Sequence, residues 1–345
     1  MQLVTESVSN DLSNQPIKAE DLSRQIKARA LAEGFDKIGI VPALPFETER
    51  QNLLQWLGRG FHGEMKWMAR DPDQRTDPRK FFPEAQSALV VALNYYTAQK
   101  HQESSTTGKV SRYAWGDDYH EVVKSKLGAL LSWLRERIPG VKGKICVDTQ
   151  PMMDKAWAVR AGLGWIGKHS NLITPELGSW VFIGELLLNL ELDYDNQLVE
   201  DHCGSCTLCL DACPTKAITE PYVVDSNKCI SYATIELRAE QIPTELASNL
   251  EGWLYGCDIC QNVCPWNRFE QPTNIDAFSP RTENINADLQ NILELTPELY
   301  SERFQHSPMK RAKLHGLQRN ARTLLEASPD YSRRVALRAR PSGFS

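Results

Sequence analysis

Hydrophobic positions follow three regimes along the chain. The opening stretch MQLVTESVSNDLSNQPIK has no apolar periodicity, and a segment without an apolar face to bury gains little from ordering, so a flexible N-terminus over residues 1–18 is expected. From Ala19 the spacing changes. Leu22, Ile26, Ala30 and Leu31 recur at helical intervals in AEDLSRQIKARALAEGF, and Gly34 supplies a stop. Short β-type runs follow, KIGIV, SALVVALNYY, KGKICVDT and SWVFIGELLLNL, separated by helical stretches such as YHEVVKSKLGALLSWLRERI and MDKAWAVRAGL. That alternation predicts an α/β or α+β domain over residues 19–198. A second unit, residues 199–272, holds eight of the nine cysteines. Residues 273–345 read as helical. In SPMKRAKLHGLQRNARTLLEA, Ser307 can cap and Pro308 can open a helix on which Met309, Ala312, Leu317, Ala321 and Leu324 share one face.

At 345 residues the chain is long enough for two or three compact units. No apolar run reaches the roughly 18 to 20 residues of a membrane span, and the polar N-terminus shows neither a signal-peptide core nor a twin-arginine pair, so a cytoplasmic, membrane-free protein is expected. The net charge of −5 conceals an asymmetry: Arg303 to Ser345 carries ten Lys or Arg against Glu326 and Asp330, a local balance of +8 that leaves −13 for the remainder. Lys310, Arg311 and Lys313 are therefore candidates for docking on a phosphate backbone, with a solvated helix face as the alternative.

The cysteines change the picture most. Their number is odd and their spacing is that of metal ligands rather than disulfides. HCGSCTLCLDACPTKAI presents Cys203, Cys206, Cys209 and Cys213 as CxxCxxCxxxCP, and CDICQNVCP presents Cys257, Cys260 and Cys264. In bacterial ferredoxins the first three cysteines of a run hold one cluster and the cysteine before proline reaches the other. Cys203, Cys206, Cys209 and Cys264 are thus expected on one [4Fe-4S] cluster, and Cys213, Cys257 and Cys260 on a second, completed by Cys229. Tetrahedral zinc is the alternative for CxxC pairs, but two runs ending in Cys-Pro favour clusters. Cys146, in an apolar strand, is expected to be a buried inert thiol. A plain electron carrier needs no 200 residues upstream, so the larger domain should hold the electron acceptor.

GLGWIGKHSN, residues 162–171, imitates two phosphate-binding motifs. Helical sequence precedes its GxGxxG, where a dinucleotide fingerprint needs a strand, and His169 occupies the Ser or Thr position of the phosphate loop. A backbone cradle or a structural turn remains, and the loop alone favours the turn.

Taken together, VDTQPMMDKAWAVRAGLGWIGKHSNLITPELGSWVFIGELL, SRYAWGDDYH, CGSCTLCLDACPTKAI and CDICQNVCPWN resemble epoxyqueuosine reductases over residues 20 to 325. The resemblance implies an α+β fold. It combines a nitroreductase-like, reductive-dehalogenase-like cobalamin-binding domain, a bacterial ferredoxin-type two-cluster module and a short basic helical C-terminal region. It also implies reduction of epoxyqueuosine to queuosine at the wobble position of tRNAs with GUN anticodons, the last step of queuosine biosynthesis, by a monomer. In that chemistry cob(I)alamin attacks the epoxide while Asp148 donates a proton. Carried over by position, Ser111, Arg112, Asp148, Lys168, His169, Ser170, Asn171 and Leu172 are expected around the corrin, and Ser231, Arg238 and Asp258 where corrin and clusters meet. DYHEVV has Val123 where DxHxxG has glycine, so no lower histidine ligand is expected from that motif. With no nicotinamide or flavin signature, an external low-potential donor such as ferredoxin or flavodoxin is implied.

Two rival functions remain at this level. A corrinoid iron-sulfur reductive dehalogenase shares the cofactors but is typically exported with a twin-arginine signal. A non-catalytic ferredoxin predicts cluster spectra without bound corrinoid. For Asp148, at the end of the apolar run KICVD, desolvation is expected to raise the pKa and keep a proton available near neutral pH; capping of the following turn is the plainer role.

Overall fold

The computed structural model describes residues 18–338, with side chains through residue 327. The expectation for residues 1–17 and the basic Arg340 lie outside the described residues. Four strands, Lys37–Pro42, Ser87–Asn94, Val181–Leu188 and Gly143–Cys146, pair in that spatial order, and every pairing is antiparallel. These are the four apolar runs picked out in the sequence. Their pairing decides between the two expected classes: the domain is α+β.

All eight residues of Ser87–Asn94 are buried. Alternation explains this, because successive strand side chains point to opposite faces and both faces are covered. Leu89, Val91 and Leu93 pack with Leu22 and Ile26 of the helix Ala19–Ala32 and with Val123, Leu127, Leu130 and Leu134 of the helix Tyr119–Arg137. Ala88, Val90 and Ala92 pack on the other side with Trp157 of the helix Asp154–Arg160. Each large aliphatic side chain so buried contributes roughly 1.5–3 kcal/mol. Gly184 lets the long helix approach, since a Cβ there would lie 2.6 Å from Val123 Cγ1.

Three sequence expectations need correction. Leu31 is 52% exposed; on a 3.6-residue repeat it faces away from Leu22, and Phe35 beyond the Gly34 turn is buried instead. The stretch from Pro308 is not one helix. Ser307 does cap, its Oγ accepting from Met309 N at 3.2 Å, but a 3-10 turn over Pro308–Ala312 ends at Lys313, where φ is 63°, and the helix Lys313–Arg338 begins anew. Met309, Ala312, Leu317, Ala321 and Leu324 nonetheless enter one core. The region after residue 272 also contributes a strand, Asn286–Asp288, antiparallel to Thr107–Val110, which pairs in parallel with Trp253–Tyr255. Packing therefore crosses the limits expected at residues 198 and 272: one core joins Val110 and Trp115 to Leu254, Leu289, Phe304 and Leu317.

Basic character in the C-terminal segment is not uniformly a surface property. Arg319 is 2% exposed, with its guanidinium donating to the carbonyls of Ala233, Leu237 and Ala239. Among the glycines of the decoy loop, Gly162 has φ of 70° and a Cβ would meet Gln197 O at 2.2 Å, while one at Gly164 would meet Ile173 O at 2.0 Å. They permit close packing of a turn, as the plainer reading of that loop holds.

Candidate functional site

A cavity of about 580 Å³ opens where the strand Val181–Leu188, the turn after Cys146, the loop 169–172 and the cysteine-rich segment converge. Ser111, Asp148, His169, Ser170, Asn171, Leu172 and Ser231 line it, as do Cys213, Cys229, Cys257 and Cys260. The remaining four cluster cysteines do not.

Four residues expected around the corrin are held elsewhere. The Arg112 guanidinium donates to Thr97 O and Gln99 O and lies 4.8, 4.5 and 5.1 Å from the ring centroids of Tyr96, Trp115 and Trp180. Backbone carbonyls and aromatic faces hold it within the protein, although its Nε has no partner. Asp258, buried, accepts from Ser111 Oγ and from Arg112 N at 2.8 Å, so it ties the 111–112 turn to the second cysteine run instead of facing the cavity. Lys168 Nζ donates to Gly204 O and Cys206 O, bracing the first run. Arg238 donates to Ile235 O, Ala312 O and Arg311 O and holds the C-terminal segment.

The eight thiols fall into two electrostatic groups. Cys264 feels Cys203 and Cys206, and Cys209 feels Cys264 and Cys203. Cys257 feels Cys260 and Cys229, Cys260 feels Cys229 and Cys213, and Cys229 feels Cys213. One weaker influence, of Cys209 on Cys260, crosses between the groups. Burial pushes the Cys257 and Cys260 thiols well above the ordinary thiol range; thiolates there require a strong positive partner, which iron supplies. Cys213 Sγ also accepts from Ala217 N at 3.2 Å, the kind of N–H···S bond that surrounds clusters. The donor set fits two four-iron clusters. Cys146, 0% exposed, has a thiol pushed up by burial and remains apart.

Asp148 departs from expectation. It lies two residues past the strand, in a turn where its own φ is 54°, and 62% of its side-chain surface is open to the cavity. Burial by surrounding protein pushes its pKa up, but hydrogen bonds from His120 and Tyr119 and the charges of His120 and Lys155 outweigh this, so the carboxyl is held below its usual range. Tyr119 Oη donates to Asp148 Oδ2 at 2.9 Å, and His120 Nε2 lies 3.5 Å from the same oxygen. The expected raised pKa is therefore corrected: Asp148 rests as a carboxylate, because donors converge on it.

The proton sits next door. Burial pushes His120 down, but Asp118 and Asp148 raise its pKa to about 9. Its Nδ1 lies 2.6 Å from Oδ1 of the buried Asp118, whose Oδ2 is 2.7 Å from Lys310 Nζ. Asp118 also caps the helix Tyr119–Arg137 by accepting from His120 N at 3.1 Å.

A second acidic neighbourhood reaches the same cavity through Asp154. Glu185 is 0% exposed, neither of its oxygens meets a donor, and Asp154 Oδ1 is likewise unpaired. Burial first, then the charge of Asp148, raises Asp154 to about 6 although a hydrogen bond with Glu185 lowers it; burial, then the charge of Asp154, pushes Glu185 well above the ordinary carboxyl range. Close carboxyls of this kind share one proton. Lys155 lines the wall, its Nζ donating to Ser170 O at 2.7 Å and Asn171 Oδ1 at 2.9 Å. His169, 4% exposed, receives Asn171 N on Nδ1 and leaves Nε2 without a partner.

Sequence reading missed Asp118, Tyr119, His120, Asp154, Lys155 and Glu185. Two signals were present: Glu185 is a lone charge in the apolar run VFIGELLL, and GDDYH concentrates acid, phenol and imidazole at a helix start. Of the expected phosphate contacts, Lys310 is tied to Asp118 and Arg311 makes two bonds to Glu236 at 2.7 and 2.8 Å. Lys313 is exposed. Among the described residues no helix is long and apolar enough to cross a membrane.

Comparison with known proteins agrees with this geometry. The family model described as epoxyqueuosine reductase QueG, DUF1730, matches residues 75–149, and a 4Fe-4S double cluster binding domain matches residues 202–267. The latter match shows two [4Fe-4S] clusters, and the two groups of thiols are consistent with it. The backbone is similar to a crystal structure of epoxyqueuosine reductase with an epoxyqueuosine-modified tRNA-Tyr stem loop, at a TM-score of 0.83, 32% identity, and coverage of 90% of this chain and 82% of that one. It is similar also to the Bacillus subtilis epoxyqueuosine reductase captured with its catalytic loop swung out of the active site, at a TM-score of 0.81, 30% identity, and coverage of 93% and 86%. An epoxyqueuosine reductase from Cellulophaga algicola is 47% identical over 87% of this chain and 97% of its own length. Since the Synechocystis epoxyqueuosine reductase is likewise 47% identical over 84% of this chain and 100% of its own length, the chain belongs to the epoxyqueuosine reductase family.

Proposed function

We propose that this chain is an oxidoreductase that reduces epoxyqueuosine in tRNA to queuosine. The observation that carries the reading is one cavity lined both by four cluster cysteines and by Asp148. Cys203, Cys206, Cys209 and Cys264 hold the outer cluster, while Cys213, Cys229, Cys257 and Cys260 hold the cluster facing the cavity. Electrons therefore enter from the outer cluster and leave at the cavity wall.

Cobalamin fits this wall. The corrin rim carries amide groups, which suit the unpaired His169 Nε2 and the polar side chains of Ser170, Asn171, Ser111 and Ser231; the apolar Leu172 and Phe182 suit the ring. When bound, the corrinoid accumulates single electrons into a two-electron nucleophile. The protein's own contributions are orientation, exclusion of bulk water and proton delivery. Asp148 is the catalytic acid, aimed into the cavity by its left-handed turn and by Tyr119. Lys155 holds the 170–171 loop, whose side chains would contact the corrin amides.

A tRNA anticodon loop is the substrate's carrier, and the basic C-terminal segment supplies salt-dependent affinity. Lys313 and Arg322 are exposed for this role; Lys310 and Arg311 serve the fold first. The enzyme is a cytoplasmic monomer that draws electrons from a low-potential ferredoxin or flavodoxin.

Anaerobic reconstitution with iron, sulfide and cobalamin tests the reading. Wild type should bind eight irons, eight sulfides and one cobalt per chain and convert an epoxyqueuosine-containing stem loop. Cys229→Ala should lose one cluster although it lies outside both cysteine runs. A full iron complement in that variant breaks the ligand assignment, and cluster spectra without corrinoid binding or turnover break the function.

A further inference from the structure

Removing the oxygen of an epoxide to leave an alkene consumes two electrons and two protons: both C–O bonds break and water departs. Asp148 cannot hold either proton at rest, because two donors keep its carboxyl ionised. A group beside it must store one.

We propose that His120 stores one of the two protons and delivers it through Asp148. The inference rests on the proposed reduction of the epoxide. The geometry is a line of contacts: Lys310 Nζ to Asp118 Oδ2 at 2.7 Å, Asp118 Oδ1 to His120 Nδ1 at 2.6 Å, and His120 Nε2 to Asp148 Oδ2 at 3.5 Å. Asp118 fixes the ring so that Nε2 faces Asp148, and the ring stacks on Tyr119 with centroids 4.1 Å apart. In the step itself the His120 Nε2–H bond breaks as Asp148 takes the proton and passes one to the epoxide oxygen; that oxygen gains O–H as the first C–O bond opens. The second C–O bond breaks with a proton drawn from water at the cavity mouth, and the two electrons come from the external donor through the clusters. His120 is left neutral and recovers its proton from solvent, to which 21% of its side chain is open. It acts through Asp148 and so is a positioning and proton-storing residue.

The charged and titratable groups facing His120 are Asp118 and Tyr119 on its own segment, Asp148 from the turn after Gly143–Cys146, and Lys310, which reaches it through Asp118. Their balance keeps the ring protonated up to about pH 9.

Two measurements test the proposal. In the first, single-turnover reduction of the stem loop by the fully loaded enzyme is followed against pH. The wild-type rate should fall above about pH 9, whereas His120→Gln should be slower by roughly 10- to 100-fold and lack that basic limb. A wild-type rate in the variant, or a loss uniform at every pH with the limb intact, overturns the proposal. In the second, NMR of histidine-labelled cluster-loaded protein without substrate or corrinoid should show the His120 ring titrating near 9 and moving toward the ordinary value of about 6.5 in Asp118→Asn. A wild-type ring that titrates at the ordinary value overturns proton storage whatever the enzyme's activity. A ring titrating near 9 in an enzyme that never turns over the stem loop places the failure in the proposed reduction instead.

Discussion

Two acidic neighbourhoods reach one cavity, through Asp148 and through Asp154, and take opposite protonation states. Asp148 meets Tyr119 and His120 and stays ionised. Asp154 and Glu185 meet each other and no donor, and together retain a proton. Burial pushes every one of these carboxyls up; the donors decide which of them overcome it. The lesson is that a carboxyl near a cofactor pocket is not automatically a stored acid. In the proposed mechanism the anion and its proton source are separate side chains, a division that would let Asp148 accept and release a proton within one turnover.

The largest effect expected from this contrast is at Asp148. Asp148→Asn keeps the shape and accepts from Tyr119, but its amide cannot relay a proton, so turnover should fall by roughly 10² to 10⁴ while both clusters and corrinoid remain bound. Prereduced single-turnover assays exclude a fault in electron delivery. A wild-type rate would make the residue structural and collapse the contrast.

Next in size is Glu185→Gln. The pair's folded pKa lies above its unfolded value, so its contribution to stability is complete below the usual Glu value of 4.5 and is lost as pH rises through the folded value. The neutral amide removes that penalty and offers Asp154 a donor. Thermal unfolding should show a gain of roughly 1–3 kcal/mol at about pH 8, the scale of pairing a buried polar group, shrinking toward about pH 5. A variant less stable at the higher pH shows that the pair is wanted charged.

The smallest effect belongs to Tyr119→Phe. Asp148's folded pKa is depressed, so the stability it confers is present above its ordinary value of 3.8 and lost as pH falls through the folded value. Losing one donor should narrow the stability difference between about pH 7 and about pH 3, by less than a buried hydrogen bond's usual 0.5–1.5 kcal/mol because the carboxylate is open to the cavity. An unchanged difference would assign the whole depression to His120.

Much of this was legible in the order of residues. Short apolar β-type runs located all four strands of the main sheet, because a strand covered on both faces is apolar at consecutive positions. Cysteine spacing proposed the cluster ligands before any fold was known, because cysteines within a run obey local chain geometry; the crossing of Cys213 and Cys264 followed the ferredoxin pattern, and Cys229 was the cysteine left over in that unit. Lone polar residues were legible only as candidates. Asp148 reached the cavity, but Arg112, Lys168, Arg238 and Asp258 turned inward to carbonyls, rings and amides that neighbouring segments supply.

By itself, then, the sequence determined the strands, the long helices and the thiol pattern, all of which depend on short-range periodicity. Tertiary structure alone decided three things: that the sheet is antiparallel, that a strand from residues 286–288 stitches the C-terminal segment to residues 107–110, and that Asp148 is an anion beside a protonated His120. The reason is common to all three. Strand direction, pairing across 180 residues and the pKa of a carboxyl are set by which distant groups arrive within a few ångströms, and neither local propensity nor spacing carries that information.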